Sequence, residues 1–306
     1  FFAILNVLQL VGWTAIMIYD GSMATAEIFS IKPFVWCIII GALIFVWILC
    51  GVKDLGWINR AVMGLLFVLS LVLCAVILKN GKTQNAAVFE SLSFGLALEL
   101  SIAMPLSWLP LISDYTKNAE NHVGVTLGST LTYGITSVWM YVIGMVAAIF
   151  TGEGNIVAIM VKSGLGVVAL VILIMSTVTT TFLDSWSAGI SSESIAKKLN
   201  GKTVALIVTV VGTVAAILYP MDNITDFLYL IGSVFAPMAA IQIADFYILK
   251  RSSEEKKVDV INAIIWVIGF IVYRLLMRVD IIIGNTIPAI LIVIALCVAV
   301  RKVSKK

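Results

Sequence analysis

The chain has 306 residues, of which 61% are apolar and only 12% are charged. A soluble domain carries roughly 25% charged residues, so this composition excludes a soluble globular protein and indicates a chain embedded in a lipid bilayer. The formal charge of +3 is small and gives no sign of a nucleic-acid partner. The four cysteines lie in apolar runs without CxxC spacing, which is typical of core residues rather than of a disulfide or metal site.

The apolar runs predict an all-α integral membrane protein with ten spans, because a spanning helix needs about 20 residues. With both ends of the chain in the cytoplasm, 14 of the 20 Lys and Arg residues fall inside and 6 outside, which fits the positive-inside rule. Short interfacial helices are predicted at residues 21–30 and 153–163. The predicted spans are residues 1–19, 33–52, 60–79, 94–113, 124–151, 164–187, 203–220, 225–249, 257–277 and 283–300.

The chain begins without Met and already inside the first predicted span. We therefore expect a fragment of a longer membrane protein, in which residues 1–306 form a single transmembrane domain. This first span contains the sequence QLVGW. Gln9 lies one helical turn before Trp13 on the same face. The Trp13 ring is either a packing residue or a flat surface for a ligand, and the sequence leaves both interpretations open.

The fourth span, GLALELSIAMPLSWLPLISDYTK, contains Pro105 and Pro110. Each proline removes a backbone donor and clashes with the preceding turn, so the pattern predicts a helix broken at Ser107 and Trp108. Broken helices at membrane depth line cavities, where their free backbone groups bind substrates and ions. A simple kink at Pro105 is the alternative. Glu99, upstream of the break, either belongs to the site or lines an outer, water-filled vestibule.

The sixth span ends in STVTTTFLDSWS, where Ser176, Thr180, Asp184 and Ser187 recur on one helical face and Thr179 borders it. Polar groups in hydrocarbon usually face a cavity or another helix. Hydroxyl and carbonyl oxygens are suitable ligands for Na⁺, and transporters use such oxygens at interrupted helices. The alternative is that these hydroxyls bond back to carbonyls or hold helices together.

The residue inventory favours a transporter over other membrane proteins. The chain has one histidine and neither HExxH nor GxSxG, so a membrane-embedded enzyme is disfavoured. Repeated pore loops, which would indicate a channel, are not visible. A transporter that has become a sensor stays open as an alternative.

Four segments, in this order, carry a family resemblance: QLVGW, SDYTKNAEN, STVTTTFLDSWS and IADFYILK. Together they resemble the nucleobase–cation symporter-1 family within the amino acid–polyamine–organocation superfamily, and within it the hydroxymethylpyrimidine transporters, which are similar to cytosine permeases. The resemblance covers nearly the whole chain and matches the ten spans to family helices three to twelve. It implies the LeuT-like fold of two inverted five-helix repeats, in the plasma membrane, with the first two helices missing.

The resemblance also implies a site. The family cation site uses a carbonyl and two hydroxyls of helix eight, which fall on Ser176, Thr179 and Thr180; its remaining ligands come from helix one. In the family, a flat heterocycle stacks on the tryptophan of helix three, which falls on Trp13. The heterocycle also contacts the break of helix six and a polar residue of helix eight. The implied substrate residues are Gln9, Trp13, Pro105, Ser107, Trp108, Thr181, Asp184 and Ser185.

Where relatives offer an amide to the heterocycle, this chain has Asp184 nearby. An amide donates and accepts, whereas an ionised carboxylate only accepts, so a ring bearing an amino group fits best. We therefore expect a symporter for a small aminopyrimidine, with hydroxymethylpyrimidine first. A cytosine, purine or other nucleobase permease is the alternative. The coupling ion is Na⁺, or H⁺ if Asp184 instead carries a proton; no cofactor is expected, and the oligomeric state is open.

Overall fold

The computed structural model describes residues 2–29, 31–51, 56–80, 93–116, 119–151, 166–196, 198–251 and 259–303. The predicted interfacial helix at 153–163 lies outside these residues. The described ranges contain eleven α-helices: α1 Phe2–Ile28, α2 Pro33–Cys50, α3 Gly56–Asn80, α4 Phe94–Trp108, α5 Ile112–Thr116, α6 His122–Thr151, α7 Gly166–Ile195, α8 Gly201–Leu218, α9 Ile224–Ile243, α10 Val260–Leu276 and α11 Thr286–Val303. A π-helical turn, Ala244–Ile248, continues α9.

Ten of these helices coincide with the ten predicted spans. Eight are long and apolar enough to cross a bilayer, and the other two, α4 and α10, are apolar helices of 15 and 17 residues. The chain is therefore a multi-pass, all-α membrane protein. Capping residues mark the start of two helices. The Asn200 side chain accepts the backbone N–H of Thr203 before α8, and the Asn223 side chain accepts that of Asp226 before α9.

The prediction of a separate interfacial helix at residues 21–30 is wrong, because α1 continues without interruption to Ile28. Its polar residues do not end the helix, since the Thr25 hydroxyl donates to the Gly21 carbonyl within it. Gly21 serves close packing instead. A Cβ built there would lie 3.0 Å from Ile40 and 3.1 Å from Thr177.

The chain divides into two compact units. The first contains α1–α3 and α6–α8. In it α2 packs against α7 and α8, while α3 packs against α6 and α7. Its core is an apolar cluster from α1, α2, α7 and α8 that includes Ile18, Ile40, Ile44, Val178, Phe182 and Ala205. The helices α7 and α8 approach closely through Gly189, whose missing side chain makes room for the Gly201 carbonyl.

The second unit contains α4 and α9–α11. Helix α9 is central and contacts the other three. Its core includes Ala240, Ile241, Ala244, Ile265, Val293 and Cys297. Pro237 lies inside α9 and removes a backbone donor. The Trp266 indole N–H donates to the nearby Val234 carbonyl at 2.9 Å, which ties α10 to this stretch of α9.

Candidate functional site

In the first unit, the polar residues of α1 lie against those of α7, and three contacts fix the pairing. As residue numbers rise along α1 they fall along α7, so the two helices run antiparallel. Thr181 and Asp184 of α7 lie between the second and third contacts. The three pairs are Asn6 with Ser191, Thr14 with Ser185, and Gly21 with Thr177.

The hydroxyl of Ser185 joins three helices. Its Oγ lies 3.3 Å from Thr14 Oγ1 of α1 and 3.1 Å from Thr209 Oγ1 of α8. Both threonines also donate to carbonyls of their own helices, at Leu10 and Ala205. Ser185, one of the residues implied by the resemblance, is therefore engaged in helix packing. Interhelical hydrogen bonds of this kind hold membrane helices together.

Thr181 and Asp184 differ from Ser185, because neither has a partner among the residues that the structure describes. Thr181 is fully buried, and its Oγ1 makes no hydrogen bond within those residues. Asp184 is 8% exposed, and its carboxylate forms no hydrogen bond or ion pair with any residue that the structure describes. Three positions apart on a helix, the two side chains are neighbours. Buried polar groups are normally paired, so the two side chains keep hydrogen-bonding capacity that the described part of the fold does not use.

Gln9 and Trp13 are both buried on α1. The Gln9 amide donates to Asn6 Oδ1 at 2.7 Å, and the Asn6 amide donates to Ser191 Oγ at 2.8 Å. This polar chain connects α1 to α7 on the face that carries Trp13. Asn6 was missed in the sequence, although its position three residues before Gln9 places it on the same helical face.

The three predicted cation ligands lie together on α7. Thr179 Oγ1 donates to the Ser176 carbonyl at 3.0 Å. Thr179 is buried, while Ser176 and Thr180 are half-buried. The back-bond matches the alternative reading of a hydroxyl that serves its own helix, yet it also brings a hydroxyl and a carbonyl oxygen to one place. Among the described residues, no three His, Cys, Asp or Glu side chains come together as metal ligands.

In the second unit, α4 passes through Pro105 and ends at Trp108. The predicted break at Ser107 and Trp108 is therefore one residue too early, because the turn begins at Leu109, directly before Pro110. Pro105 itself is tolerated, since a single missing donor leaves the rest of the helix intact.

Helix α4 ends with two backbone hydrogen bonds that each span three residues instead of four. The Leu109 N–H donates to the Leu106 carbonyl at 3.3 Å, and the Leu111 N–H donates to the Trp108 carbonyl at 2.9 Å. Ser107 is buried, and its hydroxyl donates to the Met104 carbonyl at 2.6 Å. Bonds that span three residues tighten the last turn of a helix.

Glu99 of α4 is completely buried, so the alternative that placed it in a water-filled outer vestibule is wrong. Its Oε1 accepts from the hydroxyls of Tyr273 and Thr286, and its Oε2 accepts from the backbone N–H groups of Asn285 and Thr286 at 2.7 and 2.8 Å. The sequence does not predict these partners, because they lie 174 to 187 positions away along the chain.

Comparisons with known proteins agree with this architecture. A family model described as permease for cytosine/purines, uracil, thiamine, allantoin matches residues 2–264. Cytosine permeases of three Escherichia coli strains are 24% identical to the chain over 178 residues, which is 58% of this chain and 42% of theirs. The chain thus matches less than half the length of these relatives.

A solved structure also resembles the chain. It is the structure of Mhp1, a nucleobase–cation–symport-1 family transporter, in a closed conformation with bromovinylhydantoin bound. The TM-score is 0.69 at 20% identity, and the similarity covers 99% of this chain and 75% of that one. At this identity the likeness shows the fold alone, which is the LeuT-like transporter fold.

Proposed function

Because the chain belongs to the family of permeases for cytosine/purines, uracil, thiamine and allantoin, we propose that the complete protein imports a nucleobase-like pyrimidine together with a cation. Hydroxymethylpyrimidine is the favoured substrate. The family consists of transporters and not of enzymes. We further propose a single transporter domain in the plasma membrane, with both ends of residues 1–306 on the cytoplasmic side.

The unpaired Asp184 carboxylate is the observation that carries this proposal. It is buried on α7 beside the Thr181 hydroxyl, and neither group has a partner in the described part of the chain. A carboxylate accepts and a hydroxyl both donates and accepts. An aminopyrimidine has the complementary groups, since its exocyclic amino group can donate to Asp184 and a ring nitrogen can accept from Thr181. Uracil has no amino group and fits less well.

Trp13 supplies the remaining element of this proposal. It is buried on α1, the helix that pairs with α7. Stacking of a base on an aromatic ring is worth about 1–3 kcal/mol. A flat heterocycle is consistent with the relatives, which are named for cytosine or carry bound bromovinylhydantoin.

For the coupling ion we propose Na⁺ held by the Ser176 carbonyl and the hydroxyls of Thr179 and Thr180. The contact between Thr179 Oγ1 and the Ser176 carbonyl supports this assignment, since both oxygens are of the kind an alkali ion accepts when it loses water. Coupling to H⁺ is the second candidate. It is favoured by the same unpaired Asp184, because a carboxyl group without donors in a low-dielectric interior can take up a proton.

The test is uptake of labelled hydroxymethylpyrimidine by proteoliposomes that contain the complete protein. A Na⁺ gradient and a pH gradient are imposed separately, with cytosine and uracil as competitors. We expect Na⁺-stimulated uptake that cytosine inhibits more strongly than uracil. Uptake that ignores Na⁺ and follows the pH gradient would remove the proposed role of Thr179 and Thr180 and assign the coupling proton to Asp184.

The variant D184N tests the substrate contact directly. It replaces an acceptor by an amide that partly repels an amino group, so uptake of aminopyrimidines should fall by roughly tenfold or more, equivalent to about 1.4 kcal/mol. D226N is the matched control, because Asp226 is exposed beside the start of α9. Wild-type uptake by D184N would refute the assignment of Asp184 to the substrate.

A further inference from the structure

Glu99 is the most completely engaged carboxylate that the structure describes. A carboxylate has two oxygens with about four acceptor positions. All four are filled, two by hydroxyls and two by backbone N–H groups. A charged side chain within a membrane helix is costly unless it is paired, and these donors offset that cost. They also leave no oxygen lone pair for a substrate or a coupling ion.

The backbone donors to Glu99 belong to the N-terminus of α11. Asn285 and Thr286 are at the N-terminus of α11, where the first backbone N–H groups have no partner within the helix. This end of a helix also attracts negative charge. Gly284 has φ +71°, and a Cβ there would lie 2.9 Å from Glu99 Oε2. Only glycine satisfies both the backbone conformation and the space.

Two further contacts connect the same end of α4 to the segment before α11. The Ser93 hydroxyl donates to Asp280 Oδ1 at 2.7 Å. Gly95 lies so close to the Ile281 carbonyl that a Cβ would be 2.0 Å from its oxygen. Together with Glu99, these contacts fix α4 at three levels along its axis. A slide of α4 by one residue, about 1.5 Å, would break all three.

From this arrangement we infer that Glu99 is a positioning residue for transport. It anchors α4 to the N-terminus of α11 and so sets the position of the helix break at Leu109–Leu111, about 15 Å further along α4. The inference rests on the proposed transport function. Glu99 acts through the position of the break, not through contact with substrate or ion.

The experiment compares E99Q and E99L in the complete protein, with E120Q as control because Glu120 is exposed. The glutamine oxygen can accept both backbone N–H groups, and its amide can donate to the hydroxyls of Tyr273 and Thr286. We expect E99Q to keep uptake within about threefold of wild type and E99L to lose roughly tenfold or more. Leucine leaves four donors without an acceptor.

A cross-link separates positioning from simple loss of folding. Ser93 and Asp280 are replaced by cysteines in a background without the other cysteines, and the pair is bridged in E99L. We expect the bridge to restore a large part of the lost uptake, since it fixes the same register without a carboxylate at residue 99. Folded, bridged E99L protein that remains inactive would overturn the inference. So would normal uptake by unbridged E99L.

Counterflow exchange tests the competing role in coupling. If E99Q exchanged substrate normally but lost concentrative uptake, the charge of Glu99 would serve coupling and the positioning role would be wrong. Hydrogen exchange at the amides of Asn285 and Thr286 needs no substrate, so it separates this inference from the proposed function. Those amides should exchange roughly tenfold faster in E99L than in E99Q. Equal protection in the two variants would refute the inference that Glu99 anchors α4 to α11, whatever the substrate is.

Discussion

Replacing Gly189 by alanine tests how closely α7 and α8 must approach. A Cβ at this position would lie 2.2 Å from the Gly201 carbonyl oxygen, whereas an ordinary contact is 3.4 Å or more. The obstacle is backbone and cannot rotate away. The two helices must therefore part by about 1.2 Å, or one of them must bend.

The expected cost follows from two contributions. Overpacking of this kind costs about 1–3 kcal/mol. The same movement would stretch the 3.1 Å contact between Thr209 and Ser185 beyond hydrogen-bond length, which costs about 1 kcal/mol more. Alanine returns about 1 kcal/mol through its higher helix propensity. A net loss of about 1–3 kcal/mol remains, accompanied by reduced uptake because Ser185 is adjacent to Asp184.

The assay is equilibrium unfolding in bicelles, with uptake measured on the same preparations. G134A is the matched control, because Gly134 is also inside a helix but has no atom within 4 Å of a built Cβ. It should be as stable as wild type or up to about 1 kcal/mol more stable. If G189A and G134A had the same stability and the same uptake, the close approach of α7 and α8 would be refuted.

Two further substitutions test the second unit and the ligand surface. Burial raises the pKa of Asp259, but hydrogen bonds from Arg301 and Arg251 lower it more, so the pKa lies well below its usual range. D259N removes charge-assisted hydrogen bonds and should therefore cost about 2 kcal/mol at pH 7. Its difference in unfolding free energy from wild type should shrink as the pH falls below about 4; a pH-independent difference would contradict this ion pairing. W13A should weaken substrate binding by about 1–3 kcal/mol, measured as the dissociation constant, while W57A, at a residue 65% exposed, should not; equal affinities for both variants would exclude stacking on Trp13.

Most of the helices could be predicted from sequence because each corresponds to a long apolar run between polar residues, which is a local property of the chain. The helix bounds were harder to predict where a glycine or proline lies inside a helix that continues past it. The first span was expected to end at residue 19, but α1 continues through Gly21, where the missing side chain allows close packing against Thr177 of another helix. Pro105 resembled a break, but α4 accommodates it and the turn begins at Leu109, directly before Pro110.

Contacts of the candidate site were predictable only where they lie on one helix. The cluster on α7 was visible as a repeated face, and Thr179 indeed lies against the Ser176 carbonyl of the same helix. The pairing of Ser185 with Thr14 joins residues 171 positions apart. Hydroxyl residues are frequent in membrane helices, and nothing in their spacing says which distant partner each one meets.

Asp184 and Glu99 look alike in the sequence, since each is a lone carboxylate in an apolar helix, but their surroundings differ and we propose opposite roles for them. Removing the charge of Asp184 breaks no hydrogen bond with a described residue and relieves a buried, unpaired charge. D184N should therefore be at least as stable as wild type while losing uptake. Removing the carboxylate of Glu99 leaves four donors unpaired, so E99L should lose stability and uptake together. A carboxylate that the fold has saturated with donors serves the fold, and one that the fold leaves without donors is available to a ligand.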